Sequence, residues 1–404
     1  MSEGIGGRIA VERKLRGLTQ RQLADRAHVS LSLLRKVEQG NKPASPALTS
    51  SVARALGLEL VRLTGQPYYA GNRRVDALHD LIPTLRRELG MYGLPPEEDA
   101  PPRPVRELEA RVSESSDLVQ AVSYMRLGEM LPELLADLRA AAAVATGEQR
   151  TQVWLLMREA YDNAKRLGYD LGYGDLGALA VSLEERAALE SGDPLAVALS
   201  RGVRAWTLTG AGAFAAAYRL LVGTAEGLQK ELKEARDDAE AAAPGWSIWG
   251  FMHLQAALSA ARSGDAPRTW DHFDAAQHAA SRLEGDRDDF RLSFGPTNTA
   301  VWGVGLAVEL QDGPAAVARA RDIAVRPALP KERAGHHYMD LARGHFYNGD
   351  HASALGSLVT ARRIAPQQTR YNPMARETVL ALARAERRST ESLRGMAAWM
   401  GLDD

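Results

Sequence analysis

Between residues 20 and 42 the chain gathers side chains that donate hydrogen bonds and carry positive charge: Gln20, Arg21, Ser30, Ser32, Arg35, Lys36, Asn41 and Lys42, with Leu31 among them. These are groups for non-covalent recognition of a polyanion. A guanidinium fork fits the two acceptors of a guanine edge, a pairing worth roughly 1–3 kcal/mol of discrimination. Lysine and asparagine suit phosphates, which position a protein on a nucleic acid without reading its sequence. Ser32, Arg35 and Lys36 share a helical face opposite Leu34 and Val37, so they are expected in a major groove, with Arg35 as the bidentate guanine reader. Gln20 opens a helix, where free backbone N–H groups favour a phosphate. Leu31 either packs on a thymine methyl or reads no base.

A second set, His336, Met339, Arg343, Phe346 and Tyr347, recurs at helical spacing far down the chain. Phe251, Leu254, Leu258 and Arg262, then Asn298, Val301 and Glu309, occupy corresponding places upstream. Such a convergence suits a peptide or an amphipathic small molecule; the alternative is that these side chains fill a superhelical interior. Trp206, Trp246, Trp249, Trp270 and Trp302 are expected in the core. Catalytic signatures are missing: there is no Gly-x-x-x-x-Gly-Lys, no His-Glu-x-x-His and no Gly-x-Ser-x-Gly. With no cysteine there is no disulfide, thiolate metal site or thiol nucleophile. Neither the pair His336 and His337 nor the pair His345 and His351 has a carboxylate at ligand spacing. The expectation is a protein that is not an enzyme and needs no metal or cofactor.

The elements that must position the first set are short helices. Ile5, Ile9, Val11 and Leu15 suggest one, stopped by Gly17. Thr19 caps a second, Gln20–Ala27, and after His28-Val29-Ser30 a third runs Leu31–Gln39, closed by Gly40. Ser45-Pro46 starts a fourth, with Val52 and Leu56 inward, and Leu58–Leu63 is a fifth. Two helices joined by a three-residue turn, the second turning polar residues outward, have helix-turn-helix geometry.

The run LTQRQLADRAHVSLSLLRKVEQGNKPASPALTSSVARALGL resembles the Xre, or lambda-repressor-like, family of DNA-binding domains over about 60 residues. The resemblance is carried by Thr19-Gln20, Leu23-Ala24, Val29-Ser30, Val37-Glu38, Gly40, Pro43 and Ala55-Leu56 in register. It implies that Gln20 braces the recognition helix and that Arg13 and Glu38 form a partly buried ion pair. Leu31 departs from the polar residue frequent in that family.

Beyond the head, residues 72–94 read as a linker helix with Val75, Leu78, Leu81, Ile82, Leu85 and Leu89 on one side, and the Pro-rich stretch 94–104 as a hinge. From there helices follow one another to the end, and the acidic run 231–240 reads as a solvated helix surface. Tyr338, Leu341, Ala342, His345, Ala354, Leu358, Ala361 and Pro366 match the tetratricopeptide pattern, with Gly349-Asp350 as the inter-helix turn. Weaker units turn at Gly264-Asp265 and Asp312-Gly313. The expected fold is all-α: residues 1–66 a five-helix lambda-repressor-like domain, 67–104 linker and hinge, 105–404 a tetratricopeptide-like solenoid.

The 404 residues carry a net charge of −1, unevenly spread: residues 1–66 are at +6 and the remainder at −7. A basic head on an acidic body points to a polyanion partner for the head alone. No run of 18 apolar residues suggests a membrane span, and residues 1–8 lack an apolar signal core, so a cytoplasmic, nucleoid-associated protein is expected. As a whole the chain resembles actinobacterial Xre-type regulators with long tetratricopeptide-like regions, and more distantly the peptide-pheromone regulators of Gram-positive bacteria. That resemblance implies a homodimer on a palindromic double-stranded DNA operator, with a peptide or small-molecule effector bound by the repeats. The alternative is a DNA-tethered adaptor whose repeats hold a partner protein. The C-terminal helix with Leu393, Met396, Trp399 and Met400 is either a dimer surface or a cap on the repeats.

Overall fold

The computed structural model describes residues 4–69, 76–94, 102–234, 239–325, 329–385 and 390–402. Among them every regular element is helical, with one isolated β-bridge between Arg287 and Phe294. The head comprises α1 (Ile5–Leu15), α2 (Gln20–Ala27), α3 (Leu31–Glu38), α4 (Pro46–Leu56) and α5 (Leu60–Thr64). Capping residues set the starts. Thr19 closes a capping box with Gln22, Ser30 Oγ accepts from the Leu33 N–H, and Ser45 Oγ accepts from the Leu48 N–H ahead of Pro46. Gly40 takes φ +74° after α3, as a helix stop requires. Ile5, Ile9, Leu23, Leu34, Val37, Leu48, Val52 and Leu63 form the head core. Val11 and Leu15 stay 44% and 73% exposed, because two and six positions beyond Ile9 put them on the far side of α1. α1 also packs hard on α3: a Cβ on Gly6 would stand 2.0 Å from the Val37 carbonyl oxygen.

The remainder runs through α6 (Ile82–Gly90), α7 (Val105–Gln120), α8 (Tyr124–Val144), α9 (Gly147–Leu171), α10 (Gly174–Ser191), α11 (Pro194–Gly210), α12 (Phe214–Glu234), α13 (Ala239–Ser263), α14 (Ala266–Ala280), α15 (Pro296–Glu309), α16 (Gly313–Ala320), α17 (Lys331–Tyr347), α18 (His351–Ile364), α19 (Pro366–Tyr371), α20 (Pro373–Ala385) and α21 (Glu391–Met400). Three hairpins turn the same way. Gly264, Gln311 and Gly349 are left-handed (φ 82°, 61° and 78°). Each precedes an aspartate, Asp265, Asp312 or Asp350, whose carboxylate accepts from the N–H three residues on. The middle turn therefore centres on Gln311-Asp312, one residue before the pair the sequence suggested. Part of the expected linker is built into the body, with Leu78, Ile82, Leu85 and Leu89 in one core with Leu127, Leu134 and Leu167. Most of the expected hinge (95–101), residues 70–75 and the centre of the acidic run (235–238) lie outside the described residues.

The helices do not stay an open spiral. Early and late ones meet: Val301, Leu329 and Ala334 share a core with Tyr124 and Leu167, and Tyr124 N–H donates to Gln367 Oε1 at 2.7 Å. Charges fill part of the interior as matched groups, with Arg166 on Glu332 at 3.1 Å, Arg158 on Glu184 at 3.3 Å and the Tyr124 hydroxyl on Asp170. Trp206, Trp246, Trp249, Trp270 and Trp302 pack on the α11–α15 core, and Leu393, Met396 and Met400 seat α21 on α20 in a core shared with α17 and α18.

One half-buried pair makes this body sensitive to acid. His253 Nδ1 and His272 Nδ1 are 2.9 Å apart, and His272 Nε2 is 2.9 Å from the Tyr218 hydroxyl. One ring must donate and the other accept, so a proton added to the accepting nitrogen sets two donors against each other, and two charged rings repel. Burial, then His272, pushes His253 down to about 4. Its folded value lies below the ordinary 6.5, so the contribution is complete above pH 6.5 and is lost as pH falls towards about 4. Urea midpoints should fall across that window, and His253→Gln should flatten the decline; an unchanged slope in the variant would remove the pair from this account.

Candidate nucleic-acid interface

Burial of Leu34 and Val37 against the head core turns the opposite side of α3 to solvent, and Ser32, Arg35 and Lys36 are all exposed there. Arg21 on α2 and Asn41 after α3 are exposed on the same module. Ser30 spends its hydroxyl as the N-cap, and Leu31 is half-buried against the head core.

The orientation of this face comes from a hydrogen-bonded relay. Glu38 accepts from Arg13 Nε at 2.7 Å with one oxygen and from Arg13 Nη2 at 2.8 Å with the other. Gln20 Nε2 donates to the same carboxylate at 2.8 Å, and Gln20 Oε1 accepts from Arg35 Nε at 3.3 Å. Arg13 Nη1 also donates to the Leu18 carbonyl at 2.8 Å. The Arg13 and Glu38 side chains are only 11% and 4% exposed, and hydrogen bonding to Glu38 is the chief cause that raises the Arg13 pKa. Arg35 is thus steadied through Nε, which leaves its Nη1 and Nη2 fork for a ligand. This is the brace and ion pair that the family resemblance implied.

Lys42 stands apart. It is half-buried, and its Nζ donates to Gln311 Oε1 in the turn between α15 and α16. Burial, then Lys36, lowers its pKa. The contact belongs to a seam between head and body that was not legible in the sequence beyond the opposite charges of the two parts. Glu377 on α20 accepts from the Ile5 N–H at 3.2 Å and the Ala44 N–H at 3.4 Å. Ser50 Oγ donates to the Gly210 carbonyl at 2.8 Å, Arg376 lies 3.9 Å over the Tyr68 ring, and Met374 packs on the head core.

The second candidate set is not assembled into one open groove. Leu254 and Met339 are core residues, and Asn298 is buried with Nδ2 donating to the Leu292 carbonyl at 3.3 Å. Phe251 is half-buried, packed against the α11–α15 core. Arg262 and Arg343 converge on Glu309, at 3.3 and 3.2 Å, and tie α13 and α17 to α15. Burial pushes the Glu309 carboxyl up, but the two guanidinium groups outweigh it and hold it below its usual range. His336 sits 3.8 Å from Glu332. Phe346 and Tyr347, with Arg343, do meet, but across the seam from Pro43 and Ala44, around a space of about 10 Å³ that holds one water at most.

The family model of a helix-turn-helix domain matches residues 5–63. The chain carries a DNA-binding head. No curated protein and no solved structure gives a significant match to the chain. Among the described residues no helix is long and apolar enough to cross a membrane.

Glu38→Ala leaves a mostly buried guanidinium unpaired and frees Gln20, a loss of about 3 kcal/mol for such a pair. Amide exchange in α1–α3 of the full chain should quicken accordingly while α9 keeps its protection. Unchanged exchange in the head would show that the relay does not hold it together.

Proposed function

We propose that the chain is a sequence-specific regulator of transcription, in which the head reads a double-stranded operator and the helical body receives a signal and mediates dimerisation. The observation that carries the reading is the outward face of α3, with an exposed Arg35 steadied by Gln20 and Glu38. Base reading needs a side chain held in register with its target, and the relay supplies that. Arg35 takes the guanine role, Ser32 and Lys36 flank it, and Arg21, Asn41 and Lys42 reach for phosphates, with Gln20 at the N-terminus of α2.

Dimerisation on a palindrome is favoured because one small head offers few base contacts, and two half-sites multiply specificity. Repetition of the left-handed residue and aspartate at residues 264–265, 311–312 and 349–350 supports a degenerate tetratricopeptide-like reading of the body. Ala342, Ala354 and Ala361 are fully buried where helices of a hairpin approach closely. A peptide or small-molecule effector would act on the α17 face around Arg343, Phe346 and Tyr347, the part of the second candidate set that borders the head.

Sequencing of genomic fragments captured by the full chain tests this. The expected result is a two-fold-symmetric motif, with Arg35→Ala losing roughly tenfold or more on that motif and much less on random duplex. Equal losses on both DNAs would refute the base-reading role.

A further inference from the structure

We propose that the docked head is an autoinhibited state: Gln311 and Glu377 hold the segment 42–44 that must reach the DNA backbone, and DNA binding requires the seam to open. The inference rests on the DNA-binding reading of the head. Docking divides the head into an open and a closed part. The α3 face stays in solvent, with Ser32, Arg35 and Lys36 exposed. The loop behind it does not: Lys42 is tied to Gln311, Ala44 is 3% exposed with its N–H on Glu377, and Thr49, Ser50 and Ser51 of α4 are buried.

Lys42 Nζ has donors to spare for a phosphate, but Gln311 holds it against the body, so a strand that draws this loop in displaces the turn at 311–312. The turn carries Asp312, and the body as a whole is at −7 against +6 in the head. Phosphate contacts supply much of the affinity of such proteins. A head that offers base readers while its backbone-contact loop is tied to the body binds DNA weakly. The seam is also of a kind that opens: Ser50 Oγ to the Gly210 carbonyl, two amides on one carboxylate, and a lysine on a glutamine. Apart from Met374 and Phe346 against the head, these are polar contacts that water or phosphate can replace.

Locking the seam tests the idea in the full chain. Gly212 (φ +75°) meets α4 closely, and a Cβ built there falls 3.5 Å from Ser50 Cβ, within the spacing a disulfide spans, and 3.0 Å from the Ser50 carbonyl oxygen, so the reduced double variant is the reference for the strain the substitution adds. The chain contains no other cysteine, so Ser50→Cys with Gly212→Cys gives one defined crosslink. The oxidised protein should bind a short random-sequence duplex at low salt roughly tenfold or more weakly than the same protein after reduction, while the native chain ignores reductant. Equal affinity in both states, with the crosslink verified by mass, overturns the proposal. The converse variant, Gln311→Ala with Glu377→Gln, should bind the duplex severalfold more tightly than the native chain; unchanged or weaker binding again overturns it. Failure of the native chain and the opened variant alike to bind any duplex would refute the DNA-binding reading itself, and the latch with it.

Discussion

The Glu38 carboxylate accepts from Arg13 with both oxygens and from Gln20 with one, and through it α1, α2 and α3 acquire a fixed relation. A buried carboxylate is costly to desolvate, and this one is acceptable because three charge-assisted or amide donors replace its water. The same glutamine passes the constraint to Arg35. Core packing of Leu34 and Val37 decides which side of α3 is outward, but only the relay decides where the guanidinium sits on that side. Gly6 adds the steric part, since α1 lies so close to Val37 that no side chain fits between them.

The body contributes position in another way. Each of its capped hairpin turns ends one helix and starts the next within two or three residues, so turns lie at the edge of the helical array. Gln311 lies in one of these capped turns and Gly212 in the uncapped turn between α11 and α12, and the head rests on both, as well as on α20 through Glu377. Glu309 holds the helices beneath that edge together through Arg262 and Arg343. A rigid edge and a rigid head can share a defined seam, and their opposite net charges favour it.

Local rules were legible in the sequence and distant ones were not. Thr19, Ser30 and Ser45 announced the helix starts because a capping side chain bonds within its own few residues. Gly264-Asp265 and Gly349-Asp350 marked their turns for the same reason, whereas Gln311, a residue that seldom takes positive φ, shifted the third turn by one. Helical spacing put Met339, Arg343 and Phe346 on one side of α17 but carried no information about what covers it. Closure of the array buries Met339, ion pairing occupies Arg343, and the head covers Phe346. Lys42 shows the limit most clearly. Its type and place suited a phosphate, but its partner in the structure is a glutamine 269 residues away.

Amide hydrogen exchange of the full chain, with and without a saturating duplex, addresses the central claim most directly, because one experiment reports on α3 and on the seam. The account predicts that DNA slows exchange at the start of α2 and along α3, quickens it at Ile5 and Ala44 as Glu377 lets go, and leaves α8 and α9 unchanged. Exchange in α3 that DNA does not alter, or protection that appears in the body instead, would contradict it.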